Sequence, residues 1–225
     1  MAAFLATRTV IVAVGILAMA FLPVKQGDEY KHLPTGPALD MWYRWDAGFY
    51  ASVALYRYDW YTEVQPTADM AFFPVYPLAI RAANRLLGCA DLPCTSNWLL
   101  GCYTETCATI TGVLLSNLAL LASGWLLFRF AAERYGIPVA RRAMWLLMLS
   151  PAGVFFSGLY TESFFLLFGL LAFWSLDRNR YAGAVLAAAL ACLTRLVGLA
   201  LVPPLILHAW RQPGRRRFVR LALAA

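Results

Sequence analysis

Long apolar runs, interrupted by few charges, are the feature that most restricts what this chain can fold into. A helix needs about 20 consecutive apolar residues to cross a bilayer core, and several segments come near that length. Of the 225 residues, 61% are hydrophobic and 14% are charged, whereas a soluble domain has about 45–50% and about 25%. The alternating segments of a transmembrane barrel are absent from the sequence. The sequence therefore predicts one all-α domain, a polytopic integral membrane helical bundle.

The apolar runs divide the chain into candidate spans. They are 9–24, 108–130, 143–158, 163–176 and the long run 182–210. A single crossing by the last run would put the basic tail 211–225 on the outer side, so we expect a hairpin of two short helices that turns near Thr194 and Arg195. The tail stops within another apolar run, as expected of an N-terminal portion of a longer protein.

Charges in the loops favour one orientation. Lys and Arg are enriched in short cytoplasmic loops, and arginines outnumber acids in 129–142 and 177–180. The loop 25–107 holds nine of the 12 acidic residues. We therefore expect the N-terminus, with Arg8, and the tail to be cytoplasmic and the loop to be outside. The net charge of +7 predicts no nucleic-acid partner, because the arginines lie between apolar runs. We interpret these arginines as markers of membrane topology.

The first span has an alternative interpretation as a signal peptide. A basic residue precedes an apolar stretch, and Ala18-Met19-Ala20 resembles a small-residue cleavage site. Cleavage would still leave the loop 25–107 outside. The expected location is the plasma membrane of a prokaryote or the endoplasmic reticulum of a eukaryote.

Four of the five cysteines lie close together in the predicted outer loop: Cys89, Cys94, Cys102 and Cys107. An even-numbered cluster in an oxidising compartment predicts one or two disulfides, with three possible connectivities. A zinc site is the alternative, but the four-residue gaps in both pairs fit the common two-residue spacing poorly. Cys192 lies in a predicted span and is interpreted as a packing residue.

Two segments of the outer loop predict amphipathic helices at the membrane surface. Between residues 42 and 61, nine of 20 residues are aromatic, and a helix over 46–57 would place Asp46 where a negative charge favours the helix dipole. That helix is either an anchor or the carrier of a functional Asp46. The second segment, 72–87, carries Arg81 and Arg85 one turn apart, and these either snorkel or contact lipid phosphates.

Two further charges stand out at the ends of apolar spans. Glu162 and Arg195 both approach the outer side in the predicted topology. Charges near membrane depth are costly and usually face a partner or a cavity. The two side chains could form a structural ion pair, or they could face a cavity that accepts a phosphate-bearing amphiphile.

Four stretches keep a distinctive order and spacing over about 150 residues. They are Arg44-Trp45-Asp46-Ala47-Gly48-Phe49-Tyr50, Ala71-Phe72-Phe73-Pro74-Val75-Tyr76-Pro77, Ser150-Pro151-Ala152-Gly153-Val154-Phe155-Phe156 running on to Tyr160-Thr161-Glu162-Ser163, and Thr194-Arg195-Leu196-Val197-Gly198. In these stretches the chain resembles the PIG-V-like mannosyltransferases, the family of GPI mannosyltransferase II and its prokaryotic relatives, within the GT-C class. Leu196 departs from the small polar residue usual in eukaryotic relatives.

The resemblance implies a GT-C-like fold and transfer of mannose from a polyprenyl-phosphate sugar to a lipid or protein acceptor on the outer or luminal face, with inversion. Asp46 would be the catalytic base. Arg195, with Arg44 in reserve, would stabilise the leaving phosphate, and Glu162 would orient Arg195 or bind a sugar hydroxyl. The other candidate substrate contacts are Trp45, Tyr50, Phe73, Tyr76 and Tyr160. No metal or cofactor is implied.

Two other functional classes remain alternatives at this point. A transporter or flippase-like protein would use Glu162 and Arg195 as intramembrane substrate charges near the bilayer midplane. A non-catalytic membrane scaffold subunit is the other alternative. The concentration of acids in the outer loop and the lack of an internal sequence repeat favour the enzyme.

Overall fold

The computed structural model describes residues 2–22, 37–58, 68–89 and 103–211, and every regular element in these ranges is a helix. The helices are α1 (Ala2–Phe21), α2 (Pro37–Asp40), α3 (Ala47–Tyr56), α4 (Val75–Leu86), α5 (Tyr103–Tyr135), α6 (Ile137–Met148), α7 (Gly153–Ser157), α8 (Glu162–Asp177), α9 (Tyr181–Cys192) and α10 (Val202–Trp210). Short 3-10 helices cover Ala68–Ala71 and Leu196–Leu201. The described part of the chain is thus all-α.

Two of the described helices are long and apolar enough to cross a membrane: α1, and α5 over Glu105–Tyr135. Helix α1 begins before the predicted span 9–24 and buries few of its residues. Its exposed leucines and valines would be unfavourable in water, whereas they suit contact with lipid. Its length and composition also suit a signal sequence, so the cleavage alternative stays a prediction.

Arg8 lies inside α1 and not in a loop before the predicted span 9–24, and its cytoplasmic position stays a prediction. Its side chain is 8% exposed. The guanidinium donates hydrogen bonds to the carbonyl oxygens of Gly153 at 2.9 Å and Met148 at 3.1 Å, and to the hydroxyl of Ser157. A buried arginine is stable here because carbonyl oxygens accept its hydrogen bonds.

The candidate span 143–158 contains two helices with a break between them, and its crossing of the membrane stays a prediction. Helix α6 ends at Met148, and the five-residue α7 begins at Gly153. Pro151 lies between them, and proline lacks a backbone N–H and disfavours a helical conformation in the residue before it. Arg8 therefore binds carbonyl groups at the break between two helices.

Helix α5 is the central helix of the fold. Its 33 residues span about 50 Å at 1.5 Å per residue, beyond both ends of the predicted segment 108–130. A Cβ at Gly112 would lie 1.8 Å from Leu159 Cδ1 and 3.1 Å from the Tyr76 hydroxyl. The missing side chain lets the loop before α8 and the first turn of α4 pack directly on α5.

The run 182–210 forms two arms that fold back on each other. The chain leaves α9 at Cys192, and the 3-10 helix and α10 return alongside it. The Tyr181 hydroxyl, at the start of α9, donates to the Leu205 carbonyl at 3.3 Å, and the Tyr181 ring stacks on His208 at 6.1 Å between ring centroids. The start of α9 therefore meets the end of α10.

The turn of this hairpin depends on Gly198. A Cβ there would lie 2.4 Å from the backbone nitrogen of Cys192 and 2.6 Å from its Cα. Because these are backbone atoms, Gly198→Ala is expected to force the arms apart and to destabilise the protein by about 1–3 kcal/mol. We expect a thermal midpoint several degrees lower in a melt followed by circular dichroism.

Gly169→Ala is the matched control for this prediction. Gly169 lies within α8, and nothing stands within 4 Å of a Cβ built there. Alanine has a higher helix propensity than glycine, so this variant is expected to melt at or slightly above the wild-type temperature. Equal midpoints for the two variants would contradict the close approach of the hairpin arms.

The bundle has two chemically different ends. At one end, ion pairs join the last turns of α5 and α8: Arg178 lies 3.0 Å from Glu133, and Arg134 pairs with Asp177. At the other end, α3 and α4 pack against the first half of α5 around Tyr76, Ala108 and Leu159. We call these the arginine end and the aromatic end.

Candidate active site

Helix α3 presents the first stretch at the aromatic end. Its alanine face is buried in the core, with Ala47 and Ala51 fully buried, whereas Trp45 and Tyr56 are exposed. The exposed aromatic side chains are those expected to lie at a membrane surface. Trp45 has a φ of 48°, and the chain turns there so that Asp46 precedes the first residue of α3.

The Asp46 carboxylate is exposed. Its backbone carbonyl accepts from the N–H groups of Phe49 and Tyr50 at 3.1 and 3.2 Å. No side chain in the described ranges forms a hydrogen bond or ion pair with the carboxylate. Burial raises the pKa of Tyr160, and the neighbouring charges of Asp46 and Glu162 raise it further. Asp46 is thus an unengaged carboxylate beside a phenol that stays protonated.

Arg44 is engaged with the protein. Its guanidinium pairs with Asp40, a residue that is 4% exposed, and lies 3.5 Å from the sulfur of Met19. Its carbonyl oxygen accepts a hydrogen bond from the Tyr160 hydroxyl at 2.7 Å. This pairing reduces the freedom of Arg44 to bind a substrate phosphate, and it ties Asp40 to a cation.

The second stretch packs its rings against the first. Phe72 stacks on Phe49 at 4.8 Å and meets the edge of Tyr50 at 4.9 Å. Tyr76 is fully buried, and its hydroxyl bonds with the Gly112 carbonyl at 2.9 Å. Tyr76 therefore supports the packing beneath the surface, while Phe73 is half-buried. Substrate contacts of these two residues stay predictions.

Glu162 and Arg195 form an ion pair, so the structure brings these two predicted residues together. The same Arg195 nitrogen, Nη1, lies 3.4 Å from the Thr161 hydroxyl, which in turn is 3.5 Å from the Tyr50 hydroxyl. The second carboxylate oxygen of Glu162 is buried without a hydrogen-bond partner. The side chain of Arg195 is 38% exposed, so the rest of its guanidinium can approach an anion.

Contacts link all four stretches. Tyr160 binds Arg44 of the first stretch, and Arg195 of the fourth binds the third through Glu162. The backbone N–H of Val75, in the second stretch, donates to the Leu193 carbonyl beside the fourth at 3.2 Å. Segments far apart in sequence therefore converge at the aromatic end.

Thr161 is a residue of this network that sequence reasoning did not select. It is fully buried and joins Tyr50 to Arg195 by its hydroxyl. Its position immediately before Glu162 was the only signal in the sequence. The Asp40 pairing with Arg44 was also missed, although the two are four residues apart, the spacing at which helical ion pairs form.

Two cavities among the described residues lie away from these four stretches. One of about 370 Å³, lined by Phe130, Arg134, Asp177 and His208 among others, is at the arginine end. The water-accessible cavity expected at Glu162 and Arg195 stays a prediction. In the described ranges, no group of three or more His, Cys, Asp or Glu side chains is arranged to hold a metal ion.

The cysteine cluster is described in part, because Cys94 and Cys102 lie outside the described residues. Cys89 and Cys107 have free thiols, and these lie close enough that Cys89, after the larger effect of burial, raises the pKa of Cys107. This proximity favours a Cys89–Cys107 bridge among the three possible connectivities, and it would tie the end of α4 to the start of α5.

We expect a disulfide to form between Cys89 and Cys107 in the native membrane. Peptide mapping of the non-reduced protein should recover the two residues in one cross-linked peptide, and Cys107→Ser should release a thiol at Cys89 that reacts with an impermeant maleimide on intact cells. Labelling of wild-type Cys89 without reductant, or only after permeabilisation, would contradict the bridge or its outward position.

Two of the described helices have the length and composition to cross a membrane, and the four stretches converge at one end of the bundle. A family model described as Mannosyltransferase (PIG-V) matches residues 37–211 of the 225. The chain therefore belongs to the PIG-V mannosyltransferase family, which supports mannosyl transfer between a sugar donor and a lipid or protein acceptor. No curated protein and no solved structure matches the chain.

Proposed function

We propose that this chain transfers mannose from a polyprenyl-phosphate donor to a lipid or protein hydroxyl at the aromatic end of a GT-C-like membrane bundle. The observation that carries the proposal is that two groups lie at this end. One is the Asp46 carboxylate, which no described side chain binds, and the other is Arg195, whose guanidinium is partly exposed. Tyr50 lies close enough to both groups for their charges to act on its pKa. Burial has the largest effect and raises the pKa of Tyr50, and the charges of Glu162, Arg195 and Asp46 also act on it.

Asp46 is suited to act as the general base. The acceptor oxygen would bond to C1 of the mannose while the bond between C1 and the phosphate oxygen breaks. The electron pair of that bond leaves with the lipid phosphate, and the hydroxyl proton passes to Asp46. A single displacement of this kind inverts the anomeric centre, and a positioned base accelerates it.

Arg195 is suited to hold the leaving phosphate. Arginine binds phosphate with two parallel hydrogen bonds, and the contacts of Arg195 to Glu162 and Thr161 use one nitrogen. Glu162 keeps the guanidinium in place. Arg44 is the reserve candidate, although its pairing with Asp40 makes it less available. The proposed reaction requires no metal or cofactor.

The proposed topology is polytopic, with the aromatic end outside or luminal. Ala2 and Ala3, at the start of α1, lie beside Phe128 and Arg141 near the arginine end, while Met19 reaches Arg44 at the aromatic end. Arginine-rich segments mark the cytoplasmic side. Because nucleotide sugars are confined to the cytoplasm, a site at the outer end needs a sugar donor that is already attached to a lipid.

Purified protein reconstituted in vesicles tests this function. Polyprenyl-phosphate mannose with a radioactive sugar is supplied together with a panel of phospholipid, glycolipid and peptide acceptors. We expect label in at least one acceptor class in proportion to enzyme, with polyprenyl phosphate released in equal amount. Release of the phosphate without a labelled acceptor would indicate hydrolysis, and movement of the intact donor across the bilayer would indicate a flippase; either result contradicts the proposal.

A further inference from the structure

Three arginines lie close together where the ends of α3 and α4 meet. Arg81 is half-buried and donates to the last carbonyls of α3, from Nε to Ala54 at 2.7 Å and from Nη2 to Val53 at 2.8 Å. The pKa of Arg81 is lowered by burial and, beyond that, by the positive charges of Arg57 and Arg85. We call Arg57, Arg81 and Arg85 the arginine cluster.

The arginine cluster has no counterion in the part of the chain that the structure describes. Arg57 and Arg85 are exposed, and no acidic side chain in the described ranges pairs with any of the three. Arg81 and Arg85 are also four residues apart on one helix, where like charges repel. Holding three positive charges together is unfavourable unless an anion neutralises them, and the described residues supply none.

Exposed leucines lie next to the cluster. Leu86 is 88% exposed and Leu87 65% exposed at the end of α4, and Leu78, two turns earlier, is 55% exposed. A helix with leucines and arginines projecting from its exposed end is typical of elements that lie in a membrane interface, with apolar groups at the acyl boundary and arginines among the phosphates. The combination fits a phospholipid better than a soluble anion, because a soluble anion gives the leucines no partner.

We propose that the arginine cluster is a binding site for the phosphate of an anionic phospholipid headgroup. This site uses none of the residues assigned to the donor phosphate, and it lies at the far end of α3, about 15 Å along the helix from Asp46. Arg81, fixed by two carbonyl groups, provides a rigid donor, and Arg57 and Arg85 close around the phosphate. A bound lipid there would hold α3, and Asp46 at its start, at a fixed depth in the interface.

Photocross-linking of lipids to the full-length protein tests the proposal without an activity assay. The protein is placed in phosphatidylcholine nanodiscs that contain a low fraction of a diazirine-bearing phosphatidylglycerol or, in a parallel sample, a phosphatidylcholine with the same chains. Adducts on α4 are quantified by mass spectrometry. We expect several-fold more adducts from the anionic probe, and equal labelling by the two probes would overturn the proposal.

Arg57→Gln/Arg85→Gln is the informative variant. Arginines near an anionic surface strengthen its binding, so without these two charges the adducts of the anionic probe on α4 should fall several-fold, to the level of the phosphatidylcholine probe. Arg57→Lys/Arg85→Lys keeps the charges and should retain most of the labelling, which distinguishes loss of charge from loss of fold. Arg141→Gln/Arg142→Gln, at the start of α6, is the matched control and should leave the α4 adducts unchanged.

Two further outcomes decide the identity of the anion. Millimolar inorganic phosphate should reduce the anionic adducts no more than an equal ionic strength of chloride does. Specific displacement by phosphate would assign the cluster to a soluble anion and overturn the lipid proposal. Unchanged labelling of Arg57→Gln/Arg85→Gln would show that the cluster does not select the headgroup.

Discussion

Asp46→Asn is expected to lower the rate of mannosyl transfer by about 10²- to 10⁴-fold, the usual effect of removing a general base. Asparagine keeps the shape and the backbone hydrogen bonds that begin α3, but it cannot accept a proton at neutral pH. Because no described side chain pairs with the carboxylate, the change breaks no ion pair. The rate constant should fall while binding of the lipid donor stays near the wild-type value.

Asp177→Asn is the matched control for this change. Asp177 pairs with Arg134 at the arginine end, and a surface pair contributes only about 0–1 kcal/mol, so turnover should stay near wild type. Asp59→Asn, in the outer loop but outside the described residues, is expected to behave in the same way. Wild-type turnover by Asp46→Asn in a folded, donor-binding enzyme would refute the assignment. Asp40, which is tied to Arg44, and Glu63, which lies outside the described residues, would then be tested.

Arg195→Lys is expected to produce the second large effect. Lysine keeps the positive charge but loses the planar fork that binds a carboxylate and a phosphate together. Losing one charge-assisted hydrogen bond typically costs about 1.5–3 kcal/mol, which corresponds to about a 10- to 150-fold lower kcat/KM for the lipid donor. A kinetic comparison over a range of donor concentrations measures this effect.

Glu162→Gln tests whether the carboxylate acts through Arg195. If Glu162 holds the guanidinium in place, then Glu162→Gln lowers activity in the wild type and has little additional effect in Arg195→Lys, because residues in one network do not contribute additively. Fully additive effects in this double-mutant cycle would contradict the coupling of the two residues. Wild-type kcat/KM in Arg195→Lys would contradict the phosphate-binding role.

Hydrophobic patterning was sufficient to identify the helices but not their ends. The helical runs around 163–176 and 182–210 are apolar and bounded by charges, so α8, α9 and α10 follow from composition. The break in 143–158 was missed because Pro151 was considered as part of a motif and not as the end of a helix. The burial of Arg8 could not be anticipated, because its acceptors, carbonyl groups of Met148 and Gly153, lie at that same break.

The part of the site that could be predicted is the one held together by opposite charges. Glu162 and Arg195 are isolated charges in turns at the same end of neighbouring helices, so their pairing could be anticipated from the cost of leaving either alone near the membrane. The arrangement around Thr161 and Tyr76 could not be anticipated, because it depends on how closely α4 and α5 approach. That distance is set by Gly112, whose importance appears only when its neighbours are known.

The most direct test of the account is a donor comparison in sealed vesicles with the aromatic end facing outward. Polyprenyl-phosphate mannose and a nucleotide-linked mannose are each supplied from the outside with the same acceptor, and the labelled product is counted. The account predicts transfer from the lipid donor alone, abolished by Asp46→Asn and preserved in Asp177→Asn. Transfer from the nucleotide donor would contradict the account. So would transfer that occurs only when the donors are enclosed in the vesicle lumen, which the arginine end faces.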